Sequence, residues 1–220
     1  VINSPHNPTG SVLAAADLDS LEELVQRHGL LVLSDEVYEH LVYDGAAHHS
    51  VLARPALAER AFAVFSFGKT YHATGWKTGY CVAPPALTRE FRRVHQFVTF
   101  VAVTPIQHAL ADFMAAAPGH VDELPGFYQA KRDYFARQLA RTRFKVLPVP
   151  GGYFQLVDYS AISDLPDAEF AKWLCVEKGV AAIPLSPFYA SPPEGQRLVR
   201  LCFAKNPETL DAAIVRLERV

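Results

Sequence analysis

Residues 61–69 read Ala61-Phe62-Ala63-Val64-Phe65-Ser66-Phe67-Gly68-Lys69: an apolar run, then a hydroxyl, a glycine and a lysine. A short apolar run closed by polar groups predicts a buried strand that delivers chemistry at its carboxyl end. The pattern also stands upstream, where Leu30-Leu31-Val32-Leu33 runs into Ser34-Asp35-Glu36. Tyr80-Cys81-Val82-Ala83 is a third candidate strand, stopped by Pro84-Pro85. Before the Leu30 run, Asp17 is positioned to cap a helix with Leu18, Leu21, Leu24 and Val25 at helical spacing, and Gly29 to end it. Strands separated by helices predict an α/β sheet, whose ligands bind beyond the carboxyl ends of the strands.

Downstream the pattern changes. From Ala86 to about Arg143 the spacing is helical, with Thr104-Pro105 opening one segment and Asp122 through Pro125-Gly126 breaking it before another. Four short strands follow, at 144–147, 152–157, 180–183 and 198–203, with helices over 167–178 and 207–217 capped near Asp164 or Asp167 and at Asn206. This organisation predicts residues 1–120 as part of a larger α/β domain and 121–220 as a smaller α+β domain.

Composition narrows the function. Half of the 220 residues are apolar, and 21 Lys plus Arg against 23 Asp plus Glu leave a net charge of −2, so nonspecific nucleic-acid binding is disfavoured. Cys81, Cys175 and Cys202 are too widely spaced for a zinc finger or a thioredoxin motif, which fits reduced thiols and a cytoplasmic location. No apolar run approaches the roughly 20 residues of a membrane span, so no membrane association is expected. The chain opens Val1-Ile2-Asn3-Ser4-Pro5 as if at the end of a strand, which predicts a piece of a longer protein.

Two short motifs mislead. Ser66-Phe67-Gly68-Lys69 with Lys77-Thr78-Gly79 matches elements of penicillin-binding enzymes, but the two lie too close together and lack a Ser-Asp-Asn between them. His48-His49, with His40 nearby, suggests a metal, yet adjacent histidines share no helix face and a solvated loop is the expectation. A third set is more informative: Asn7-Pro8-Thr9-Gly10, Asp35 with Tyr38, Ser66 with Lys69, Lys77, and the distant Arg200. A lysine just after a buried strand is a candidate Schiff-base nucleophile. The carboxylate, hydrogen-bonding groups, hydroxyl and second cation complement a phosphorylated pyridine aldehyde, and an arginine fork grips a carboxylate.

This ordered set resembles the class I and II aminotransferases, pyridoxal 5′-phosphate (PLP)-dependent enzymes of fold type I. Ser66 through Lys77 and Arg200-Leu201-Cys202-Phe203-Ala204-Lys205 are most similar to the methionine, aromatic and kynurenine aminotransferase branch. The resemblance implies part of a large-domain mixed sheet plus a C-terminal α+β small domain. It implies that Lys69 holds the cofactor and shuttles the substrate proton, that Asp35 pairs with the pyridine nitrogen, and that Tyr38 and Asn7 donate to the phenolic oxygen. Ser66 and Lys77 would contact the phosphate, and Arg200 the α-carboxylate of the substrate. The family usually carries arginine where this chain has Lys77, a point charge in place of a fork. The implied reaction passes an amino group from an amino acid to a 2-oxo acid, in a homodimer. Cysteine-conjugate β-lyase activity and a non-catalytic effector domain of a regulator are the alternatives. Relatives carry an upstream stretch of comparable length, so the chain is expected to be a C-terminal portion that is inactive alone.

Overall fold

In the computed structural model, which describes residues 1–220, the chain divides into two units: 1–5 with 12–125, and 6–11 with 126–220. The first unit contains β1 (Ile2–Asn3), α1 (Ala15–His28), β2 (Val32–Asp35), α2 (Pro55–Ala58), β3 (Ala61–Ser66), α3 (Phe67–Thr70), β4 (Gly79–Val82), α4 (Pro85–Val98) and α5 (Thr104–Ala116). Strands β1, β2 and β3 pair in parallel in that order, and β4 pairs antiparallel to β3, placing Gly79 opposite Ser66.

Local chemistry shifts two of the expected boundaries. Asp17 does not cap α1. It occupies the third helical position, and its carboxylate accepts the Ala14 N–H at 2.8 Å, satisfying one of the orphan donors at the helix start. At the other end Gly29 adopts φ 63°, and the Leu30 N–H returns to the Val25 carbonyl at 3.1 Å. That bond ties Leu30 to the helix cap, so β2 begins at Val32 rather than Leu30, and Leu30 and Leu31 remain exposed.

The core of this unit covers one face of the sheet. Val32, Ala61, Ala63 and Phe65 alternate inward against Leu18 and Val25 of α1, Leu57 of α2 and Val51. Full burial of a leucine such as Leu57 contributes about 1.5–3 kcal/mol. Leu33, on the outward face, is 41% exposed, so β2 is buried on one face and not on both as its apolar run suggests.

The last helix of the stretch is α6 (His120–Leu139), and Pro125 lies inside it. The expected break at Pro125-Gly126 is therefore corrected: the chain breaks at Ala117–Gly119 instead. Proline withholds a single N–H from the helix ladder, and the buried Leu124 and Tyr128 hold the turns on either side. The two units divide between Pro125 and Gly126, a few residues into α6, whereas the sequence reading sets its boundary near 120.

In the second unit, β5 (Lys145–Val146), β6 (Phe154–Asp158), β7 (Ile183–Pro184) and β8 (Leu198–Cys202) form an antiparallel sheet in the order β5-β6-β8-β7. Helices α7 (Asp167–Lys178) and α8 (Pro207–Leu217) accompany it, the latter capped by Asn206, which accepts the Thr209 N–H at 3.2 Å. The rings of Tyr159 and Phe170 stack at 3.8 Å in the core, where burial pushes the Tyr159 hydroxyl up to about 12. Residues 6–11 close a turn in which Gly10 has φ 73° and lies so near Gly151 that a Cβ would meet its carbonyl oxygen at 2.9 Å.

Gly79 holds the tightest strand approach of the first unit: an added Cβ would sit 2.3 Å from the Phe65 carbonyl oxygen. Gly79→Ala is expected to destabilise the protein by about 1–3 kcal/mol or more. Gly75→Ala, where a Cβ meets nothing within 4 Å, should stay within about 0.5 kcal/mol. Urea midpoints of the two variants test this difference.

Candidate active site

Strand parity sorts the polar residues at the end of β2. Val32, Ser34 and Glu36 point into the core, while Leu33 and Asp35 point to the other face. Glu36 is 1% exposed and fully engaged: it accepts from Ser34 Oγ at 2.9 Å, the Val51 N–H at 3.1 Å and His48 Nε2 at 2.8 Å. Burial pushes the Glu36 carboxyl up, but hydrogen bonds from His48, Ser50, Ser34 and Val51 outweigh it and hold the group below the ordinary glutamate value. His48 is thus not in a solvated loop, which corrects the sequence expectation. Its Nδ1 is buried without a hydrogen-bond partner.

Asp35 is fixed by its backbone. Its carbonyl accepts from Asn3 Nδ2 at 2.8 Å and from the Ser4 N–H at 3.1 Å, and its Oδ1 accepts the Val37 N–H at 3.3 Å. Tyr38, three residues on, is 4% exposed, and Lys69 Nζ lies 5.8 Å from the centre of its ring. Asp35, Tyr38, Ser66 and Lys69 therefore gather at the carboxyl ends of the neighbouring strands β2 and β3.

The turn bearing Lys69 is held on both sides of the lysine. A Cβ on Gly68 would meet Thr74 Cα at 2.9 Å, and Thr74 Oγ1 donates to the Gly68 carbonyl at 3.0 Å. On the far side His120 Nε2 donates to the Thr70 carbonyl at 2.8 Å, and the His120 ring stacks on Tyr71 at 5.3 Å. Lys77 follows in an exposed turn with φ 55°, its own N–H bonded to the Thr74 carbonyl at 3.4 Å.

In the second unit Arg200 and Asn7 come together across nearly the whole sequence, with the Asn7 Oδ1 accepting from Arg200 Nη1. Arg200 sits on β8 opposite Leu156 and Ile183, and its guanidinium carbon lies 3.9 Å from the centre of the Phe154 ring and 5.8 Å from that of Phe188. Phe154 is the first residue of β6 and buried, so it lies under the arginine as part of the sheet.

Residues 1–217 match the model of the family described as aminotransferase class I and II. The chain belongs to that family. It is 53% identical to the methionine aminotransferase of Escherichia coli strain K12 over the whole of this chain and 57% of that protein. A crystal structure from E. coli, described as identifying a methionine aminotransferase function, superposes with a TM-score of 0.94, covering 100% of this chain and 58% of the other at 53% identity. The N-succinyldiaminopimelate aminotransferase of Mycobacterium tuberculosis superposes at 0.93 with 38% identity, over 99% of this chain and 57% of that one. Mouse kynurenine–oxoglutarate transaminase 1 is 36% identical, over 99% of this chain and 56% of its own length. The chain thus spans a little over half the length of these relatives. Its fold is that of the PLP-dependent aminotransferases, and the cofactor of the family is pyridoxal 5′-phosphate.

The residues of the first unit fit that cofactor chemically: an amine for its aldehyde, a carboxylate for its ring nitrogen, a phenol for its ring oxygen, and a hydroxyl with an ammonium for its phosphate. The sequence reading names Glu36 only as a polar residue closing the run before it, and does not mention Phe188 or His120. The parity of β2 carries a signal for Glu36, since Val32 and Ser34 share its face. Phe188 and His120 stand apart from every motif and become visible only in the folded chain.

Because the folded value of Glu36 is depressed, its contribution to stability is full above the unfolded glutamate value and is lost as pH falls through the folded one. Glu36→Gln is expected to cost about 1–3 kcal/mol near neutrality, and to lose less stability than the parent on further acidification. Denaturant titrations at a series of pH values below neutrality check both effects.

Proposed function

We propose that the protein carrying this chain is a PLP-dependent aminotransferase that moves the amino group of methionine, an aromatic amino acid or kynurenine to a 2-oxo acid. The observation that carries the reading is the gathering of Lys69, Asp35 and Tyr38 at one edge of the sheet. The 53% identity to a methionine aminotransferase along the whole chain supports the substrate class.

When bound, the cofactor supplies a sink for the electron pair left at the substrate α-carbon. Lys69 would hold the cofactor through Nζ, and the same amine would carry the α-proton. Asp35 would keep the pyridine nitrogen protonated, Tyr38 and Asn7 would donate to the phenolic oxygen, and Ser66 and Lys77 would bind the phosphate. Arg200 takes the α-carboxylate through its two-pronged edge. With Oδ1 turned to Arg200, the amide of Asn7 presents its NH2 group as the donating end. Lys77 binds phosphate as a single charge without the bidentate geometry of an arginine.

We further infer a homodimer in the cytoplasm. Phe97 and Phe100, 86% and 78% exposed, support a face covered in the assembled protein, and the three free cysteines support a reducing compartment.

Borohydride reduction of the full-length protein with PLP, followed by peptide mass mapping, tests the reading. A phosphopyridoxyl group on the Lys69 peptide is expected, and Lys69→Ala should remove it and lower kcat by about 10²–10⁴-fold. Labelling at another lysine, or none, would overturn the assignment. Ammonia and pyruvate formed without an oxo acid would reassign the reaction as β-elimination.

A further inference from the structure

Asp167 is the first residue of α7 and 6% exposed, yet its carboxylate serves another segment. Its Oδ2 accepts the N–H groups of Leu185 at 2.7 Å and Ser186 at 2.6 Å. These two donors open the short 3-10 turn Ser186–Phe188, closed by the Phe188 N–H to the Leu185 carbonyl at 3.0 Å and the Tyr189 N–H to the Ser186 carbonyl at 3.1 Å. The Leu185 side chain is 1% exposed and anchors the head of the segment, but hydrogen bonding on its strand side is sparse. The preceding β7 has two residues, Ile183 opposite Arg200 and Pro184 opposite Val199, and neither Pro184 nor Pro187 has an N–H to give. The carboxylate at the α7 N-terminus is also favoured by the helix dipole.

The turn brings Phe188 to 5.8 Å from the guanidinium carbon of Arg200, which already rests 3.9 Å from the Phe154 ring. Phe154 is part of the sheet and 9% exposed, whereas Phe188 is 46% exposed and depends on its turn for its position. Aromatic contact on a guanidinium occupies its faces and leaves its N–H edge for a planar anion.

We propose that Asp167 and Phe188 are positioning residues for Arg200: Asp167 clamps the 185–188 turn, and the turn holds Phe188 against the guanidinium that receives the substrate carboxylate. The inference rests on the reading of Arg200 as the carboxylate site. It adds a specific dependence of substrate affinity on a buried carboxylate in α7.

Steady-state transamination by the full-length holoenzyme, with methionine as the probe, tests it. Phe188→Ala is expected to raise KM by about 2- to 30-fold, with kcat within about twofold and the cofactor absorption unchanged. Asp167→Ala should act in the same direction, and Asp167→Asn, which keeps an acceptor oxygen, should restore most of the affinity. Arg200→Lys should raise KM, and adding Phe188→Ala to it should raise KM little further, because the two act through one group. Unchanged KM in Phe188→Ala, or full additivity with Arg200→Lys, would overturn the proposal even if Asp167→Ala failed to fold. Unchanged KM in Arg200→Lys would instead remove the carboxylate-site reading itself.

Discussion

The buried carboxylate of Glu36 is the constraint on which the first unit depends. A charge with 1% exposure persists only where donors replace water, and here Ser34, His48 and the Val51 N–H converge on it. Those partners come from the strand itself and from the segment that leads into α2. The chain leaving β2 is therefore tied back beneath the sheet, and Glu36 also donates its N–H to the Val64 carbonyl of β3 at 2.9 Å. Because side chains alternate along a strand, fixing Glu36 inward directs Asp35 outward, toward the edge that carries Lys69.

The two halves of the proposed chemistry are held by different means. Around Lys69 the restraints are on the main chain: the close packing of Gly68 on Thr74, the Thr74 bond to the Gly68 carbonyl and the His120 bond to the Thr70 carbonyl. The turn thereby places the lysine side chain at the end of β3, with Nζ 5.8 Å from the centre of the Tyr38 ring. Arg200 is restrained through its side chain, by Asn7 at one nitrogen and by two aromatic rings. For the proposed role of Arg200, orienting a planar anion, such immobility is an advantage.

Much of this was legible in the sequence, for reasons that differ by residue. The apolar runs before Asp35 and Lys69 mark strands because burial demands them, and α7 and α8 follow from periodicity and the Asn206 cap. The start of β2 was not legible, since the Gly29 cap consumes the N–H of Leu30 and the apolar run gives no sign of it. Proline at position 125 misleads because tertiary burial of Leu124 and Tyr128 outweighs one missing hydrogen bond. His48 misleads for a related reason: its partner Glu36 is far along the chain, and no local spacing pairs them. The contact of Asp167 with Leu185 and Ser186 belongs to the same class, a long-range bond made by a residue whose local reading is a helix cap.

The alternation of β2 also determines where the chain tolerates changes in length. Removing or adding one residue within 32–35 would exchange the faces of Glu36 and Asp35, burying the one and presenting the other, without altering composition at all. Nine residues after Asp35, the exposed turn at Asp44-Gly45, with φ of 59° and 73° and no atom within 4 Å of a Cβ at Gly45, carries no such parity. Length variation among descendants of this sequence should therefore collect in that turn and spare the strand, and a loop graft or tag insertion belongs at 44–45 for the same reason.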